Sequence, residues 1–338
     1  MKAIKFFAIS AMAAAMITSC STDDELSQSN YPSDNIIRVT AGVNNAKTRA
    51  EGAGTEMKND FSLTIVNRNA SKYTYTDKVF SKSSGDWACS ETLLWQKSDA
   101  LVDIVAFAPA QTGKFNGVYA NGSIQPIAYS VAKDQSTKSD NNDLLYYYAK
   151  DFNPGTSLVN KKLSIQFNHA FCMIDIVVTL GTEFNKPKVL DDSPIVKVTL
   201  DGTKIAANVD VKNAATGSTT TTAASVVTAS ETATPTTITT TKGTFTKAAN
   251  EEANAKSCFS CIAIPQTVAA NTFKVSLMTA GKRYEWTSDK EITLQSGYRY
   301  TLELSMGNDV VLLKGGSDNG GITATPWGPG TGGSLETD

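Results

Sequence analysis

The chain has 338 residues, 31 basic and 33 acidic side chains, and a single histidine. This near-balance of charge excludes the basic face that a nucleic-acid partner requires. The length sets an expectation of two domains, each large enough to bury its own core.

Taken from the start, Lys2 and Lys5 form a positive n-region, and Phe6 to Ile17 is an apolar run too short to remain across a bilayer. Residues 1–19 therefore read as a signal peptide. Ile17-Thr18-Ser19-Cys20 resembles a lipobox, which makes Cys20 the lipidated residue and new N-terminus. Ser21-Thr22-Asp23-Asp24-Glu25 resembles a surface-export signal of bacterial lipoproteins, or forms a solvated tether. No second apolar run reaches membrane length, so an outer-membrane lipid is the anchor expected, and one cut detaches it.

Ile36 to Val43 reads as a first strand, followed by the small, polar stretch Asn44 to Gly54 with Arg49 at its centre. Period-two alternation then recurs almost throughout. It predicts strands over Phe61 to Val66, Tyr73 to Phe80, Leu101 to Ala108, Leu144 to Ala149 and Leu163 to Phe167. A turn-rich break at Asn153-Pro154-Gly155-Thr156 divides an N-terminal β-sandwich (50–155) from a C-terminal one (156–308). Beyond it, strands are predicted over Met173 to Leu180, Ile195 to Leu200, Ile205 to Val211, Cys258 to Ile264, Phe273 to Leu277 and Tyr298 to Leu304. No long segment has a helical period, so the fold class is all-β. Between Asn213 and Lys247 there are 15 Thr in 35 residues, read as an irregular insertion or an edge hairpin.

No catalytic set can be assembled, and neither an enzyme nor a cofactor is expected. His169 shares parity with Leu163, Ile165 and Phe167, which points it inward as a structural residue. Cys258-Phe259-Ser260-Cys261 has C-x-x-C spacing, but Ile262-Ala263-Ile264-Pro265 continues it as a strand, where residues three apart face opposite sides. Buried, inert thiols follow, and no metal site. Trp87, Trp95, Trp286 and Trp327 suit either a carbohydrate platform or core anchoring. The glycines of Gly315 to Gly321 lack the Lys-Ser or Lys-Thr and helix of a phosphate loop, and read as a flexible hinge.

Several segments, in order along nearly the whole chain, resemble the fimbrillin (type V pilin) family and its Mfa-like members. They are the lipobox, the first strand with Lys47-Thr48-Arg49-Ala50, Asp143-Leu144-Leu145-Tyr146, and Leu163 to Ala170. Val196 to Gly202, Ile264-Pro265-Gln266-Thr267, Ser296 to Leu302 and Ile322 to Trp327 follow. The resemblance implies two transthyretin-like β-sandwich domains in tandem, in a lipoprotein precursor at the outer surface. It also implies an Arg-specific protease as a partner, cutting between Arg49 and Ala50, and polymerisation by donor-strand exchange into fimbriae, with residues 20–49 as the propeptide.

Ile37, Val39, Ala41 and Val43 lie on one face of the first strand. Burying its three branched residues contributes roughly 5–9 kcal/mol, against about 5–15 kcal/mol for a whole domain. Removing the strand should leave an open apolar groove with exposed edges. Residues 309–338 form the expected donor tail, with Val310, Val311, Leu312 and Leu313 before the glycine hinge and Ile322 and Ala324 after it. Head-to-tail exchange between subunits does not close and yields a filament. The competing expectations are a tip or accessory adhesin bearing a host glycan or protein ligand, and a surface glycan-binding lipoprotein.

Overall fold

The computed structural model describes residues 30–44, 55–57, 59–111, 113–137, 143–215, 225–313 and 322–327. The first half of the chain supplies β1 (Val39–Val43), β2 (Thr55–Glu56), β3 (Phe61–Asn67), β4 (Tyr75–Ser83), β5 (Asp86–Cys89) and β6 (Val102–Ala108). It continues with β7 (Tyr119–Ala120), β8 (Ser123–Ile124), β9 (Ile127–Ser130), β10 (Leu145–Phe152) and β11 (Leu163–His169). The second half begins with β12 (Cys172–Leu180), β13 (Ile195–Asp201), β14 (Ala206–Val209), β15 (Val227–Ala229), β16 (Ile238–Thr239), β17 (Thr241–Thr246) and β18 (Lys256–Ala263). It ends with β19 (Gln266–Val268), β20 (Lys274–Thr279), β21 (Arg283–Thr287), β22 (Ile292–Leu294), β23 (Tyr298–Met306), β24 (Val311–Leu313) and β25 (Ile322–Pro326). Among the described residues α-helix is confined to the single turn Pro154–Ser157, so the chain is all-β as its periodicity predicts.

Eight strands of the first half run in the order β11-β10-β6-β3-β4-β5-β1-β2, and β1 also pairs with β11, so this sheet closes on itself. Strand β11 follows the turn at Asn153–Thr156 and lies between β10 and β1. Alternation explains its role: Leu163, Ile165 and Phe167 are fully buried inside the closed sheet, while Ser164 and Gln166 point away. Strands β3 and β6 are buried at every position because both of their faces are covered. Phe61, Leu63, Ile65, Ile104 and Ala106 fill the closed sheet, whereas Val66, Val105 and Phe107 face a second core shared with the other half.

That second core is walled by a sheet in the order β17-β18-β12-β23, with β24 and β25 both on the far edge of β23. Strands β12 and β23 are parallel, paired from Met173↔Arg299 to Leu180↔Met306. Ile174, Ile176, Val178, Tyr300, Leu302 and Leu304 turn inward from them. A second sheet, β16-β13-β20-β21, and the small sheet β15-β14-β9 complete the enclosure. Strand β9 pairs with β14, which joins the two halves of the chain.

The described part of the Thr-rich segment is ordered differently from the single insertion or hairpin expected. It supplies β15, β16 and β17 to three separate sheets, each as an edge strand. Threonine suits this position because its branched Cβ favours extended backbone and its hydroxyl satisfies edge groups. Thr240 does so while buried, donating to the Val198 carbonyl at 3.1 Å.

Candidate functional site

Strand β1 is the member that closes the first sheet. It runs parallel to β11 with Val39↔Leu163, Ala41↔Ile165 and Val43↔Phe167, and antiparallel to β2 with Gly42↔Glu56 and Val43↔Thr55. On its other flank Val39 is opposite Trp87 of β5. Ile37, just before the strand, and Val39 are 6% and 3% exposed. Ala41 and Val43 are half-buried and pack against the same core. The four residues assigned to one inward face thus lie together, with the deepest burial at the N-terminal end.

Beneath them is an aromatic floor. Phe61 stacks on Phe80 at 5.4 Å and meets Trp87 and Phe167 edge-on at 4.9 and 5.5 Å. The chain leading into β1 is also seated: the Ile37 amide donates to the Leu93 carbonyl at 2.9 Å, and the Trp95 amide donates to Asn35 at 2.8 Å. Trp95 is buried and stacks on Phe152. The Arg38 guanidinium grips Asp34 and holds its carboxyl down at about 2. At the far end, Asn44 donates from its amide to Phe167 at 2.7 Å and from its side chain to Asn168 at 3.0 Å. The period-two pattern carried no signal for Asn35, Leu93 or Asn44, which bind through backbone or side-chain amides rather than apolar parity.

Cys20, Arg49 and Ala50 lie outside the described residues, as do Gly315 to Gly321. The connection from β1 to β2 contains Arg49. The chain's other four arginines are all engaged. Arg38 pairs with Asp34, Arg68 with Asp103 and Asp151 at 2.6 and 2.9 Å, Arg283 donates to Ser276 at 2.9 Å, and Arg299 pairs with Asp175.

The C-terminal residues form one interrupted edge strand. Strand β24 covers β23 from Met306 to Leu304, and β25 resumes at Leu302 and runs to Tyr298. The two are held differently. Val311 is buried and Leu313 half-buried, and the turn before them is pinned by Lys282 to Asp309 at 2.6 Å and Tyr284 to the Asn308 carbonyl at 2.8 Å. Val310 and Leu312 are exposed. In β25 only Ile322 is buried, and Ala324 is exposed. Trp327, directly after it, stacks on His169 with ring centroids 3.9 Å apart and planes 8° from parallel.

His169 is half-buried, with its Nδ1 2.7 Å from Asp143. Cys261 is buried and Cys258 only half-buried, consistent with opposite faces of β18. Burial pushes the thiols of Cys172 and Cys261 well up, which suppresses the thiolate. Trp87 and Trp95 belong to the closed-sheet core, while Trp286 and Trp327 pack against the other core. The four rings are thus divided between the two cores, two to each.

The fold is similar to that of a fimbrial protein from Bacteroides vulgatus, with 15% identity, a TM-score of 0.51, and coverage of 86% of this chain and 99% of that one. A candidate cell adhesion protein from Bacteroides ovatus gives 15% identity and a TM-score of 0.55, over 86% and 95% of the two chains. Another from Bacteroides uniformis gives 13% and 0.52, over 88% and 99%. No curated protein matches the chain. The fimbrillin-like family matches residues 48–327, and with most of its length so covered the chain belongs to that family.

Proposed function

We propose that this protein is a structural subunit of surface fimbriae, exported as a lipoprotein anchored through Cys20, cut after Arg49 and polymerised by donor-strand exchange. The observation that carries this reading is the position of β1, a terminal strand that closes a sheet and is joined to its next neighbour by the connection containing Arg49. Severing that connection and losing β1 opens the aromatic floor and the inner face of β11, leaving an edge that accepts an extended segment.

Two further features support it. Engagement of Arg38, Arg68, Arg283 and Arg299 by side chains of the fold disfavours cleavage there, because a protease needs several residues in extended, unpaired form. The tail also repeats the plug: Ile322-Thr323-Ala324 matches Val39-Thr40-Ala41 in size, branching and alternation. A neighbour's β25 can therefore present the same inward groups to Leu163 and Ile165. This gives the donor assignment of Val310, Val311, Leu312, Leu313, Ile322 and Ala324 a division of labour, with the first four as the anchored base and the last two as the inserted face.

Treating the purified precursor with an Arg-specific protease should yield ladders on gels that survive cold detergent, and Arg49→Ala should abolish them. Equal assembly by Arg49→Ala would refute proteolytic activation. Deleting residues 309–338 should leave monomers that cap fibres without extending them; fibres built from that truncation would refute the donor assignment.

A further inference from the structure

We propose that Trp327 and His169 form a catch that keeps β25 on its own subunit while β1 is seated, and that departure of β1 weakens the catch. In β25, Ile322 is the one buried side chain and Thr323 to Pro326 are exposed, with the Thr325 hydroxyl donating to the Arg299 carbonyl at 3.3 Å. Trp327 ends it on a built surface. Its amide donates to the Gly297 carbonyl at 2.7 Å, and the Gly297 amide donates to Phe171 at 2.9 Å. Gly297 has φ +71, which favours glycine over residues with a Cβ. The indole lies flat on His169, whose ring is fixed by Asp143 at 2.7 Å.

His169 is also where the tail meets the plug. It is the last residue of β11, held on one flank by β10 through Leu145↔His169 and Tyr146↔Asn168. On the other flank the pairing belongs to β1, with Val43 opposite Phe167 and Asn44 bonded to both Phe167 and Asn168. Without β1, the end of β11 becomes a sheet edge where the Phe167 carbonyl and the side-chain Oδ1 of Asn168 lose the donors that Asn44 supplies. Strand ends in that state open at low free energy, and a stack within 8° of parallel depends on the orientation of the ring beneath it. The subunit thus holds its own tail most firmly while its groove is filled, which suppresses premature exchange. The coupling rests on the proposed loss of β1; the catch itself does not.

Hydrogen exchange followed by mass spectrometry on the full chain separates the two. In Trp327→Ala, the peptide spanning 322–327 should exchange about tenfold faster, with peptides from β3 and β6 unchanged. Trp327→Phe keeps a stacking ring and should retain most of the protection. Unchanged exchange in Trp327→Ala overturns the catch. For the coupling, Asn44→Ala in the uncut chain should speed exchange of the same peptide about threefold. Monomeric protein, separated from polymer by gel filtration and shown by its mass to have lost residues 20–49, should match uncut Trp327→Ala, with no further rise when that variant is itself cut and measured as a monomer. Unaltered protection in the protein lacking β1 overturns the coupling. Absence of a cut at Arg49 instead counts against the proposed function, and the uncut variants still decide the catch and its link to Asn44.

Discussion

Ile37→Ala perturbs the plug without touching the proposed cleavage site. The side chain is 6% exposed and packs in the closed-sheet core with Val39, while its backbone bond to Leu93 survives the change. Truncating a buried isoleucine to alanine costs about 2–5 kcal/mol, the transfer term plus the cavity left behind. With a urea dependence of about 2 kcal/mol per molar, a loss of about 3 kcal/mol lowers the midpoint by roughly 1.5 M. Trp87 and Trp95, both in that core, report the transition by fluorescence. The control is Thr40→Ala, whose exposed side chain should move the midpoint by less than about 0.3 M. In fibres assembled after the cut, residue 37 is no longer present, so variant and parent should unfold together. A shift in the precursor as small as the control's would mean that β1 is not seated by its apolar face. A shift that persists in fibres would mean that β1 never leaves.

Asp103→Asn combined with Asp151→Asn removes both carboxylates from Arg68, and an Arg-specific protease should then produce a second cut after Arg68 that the parent resists. Asp175 tests the ion pair within the second sheet: burial raises its carboxyl above the ordinary 3.8 despite the hydrogen bond from Arg299. The folded chain therefore binds that proton more tightly than the unfolded chain, so the contribution is present at low pH and is lost as pH rises through the folded-state value. Between that ordinary value and neutrality the parent should lose more thermal stability than Asp175→Asn; parallel curves would refute the assignment. Arg299→Ala, which strands the buried carboxylate, should cost about 3–5 kcal/mol by denaturant unfolding. Stripping residues 20–49 from cut protein should shift Trp95 emission to the red, because its backbone partner Asn35 and the cover over Leu93 leave with the fragment.

The strands were legible where one face is buried. Leu163-Ser164-Ile165-Gln166-Phe167 and Tyr298 to Leu304 alternate in sequence and do so in the sheet. Strands β3 and β6 could be read as well, as apolar runs covered on both sides. Other strands were missed: β5, whose Asp86-Trp87-Ala88-Cys89 has one large apolar side chain, β9, whose partner β14 lies far along the chain, and β21, the short hairpin partner of β20. The inward face of the plug was visible because parity is local. Its seat was not, since Leu93, Phe61 and Asn168 reach it through long-range pairing that no short window contains. His169 could be placed inward by parity, but its bond to Asp143 and its stack with Trp327 depend on loops and on a tail 158 positions away.

In each half of the chain the first strand runs parallel to a late one, β1 to β11 and β12 to β23, the latter followed only by the tail strands β24 and β25 among the described residues. A parallel pair needs no hairpin between its members, so the contact of β1 with β11 is wholly non-covalent, and the intervening chain from 44 to 162 is the crossover. Strand β12 is in the equivalent position but is continuous with β11 on one side and with the β13 connection on the other, so no single cut can free it. For β1 a single cut is enough, because nothing beyond it on its N-terminal side returns to the sheet among the described residues. The short link to β2 is then the only covalent path holding the plug near its groove, and cutting it replaces an intramolecular strand with one at solution concentration. A donor tail attached to a neighbouring subunit gains the advantage that the plug has lost. Lengthening the β1 to β2 connection with glycine and serine, without cutting it, should therefore leave the plug seated and the precursor unable to polymerise, whereas fibres from such a chain would show that tether length rather than severance controls exchange.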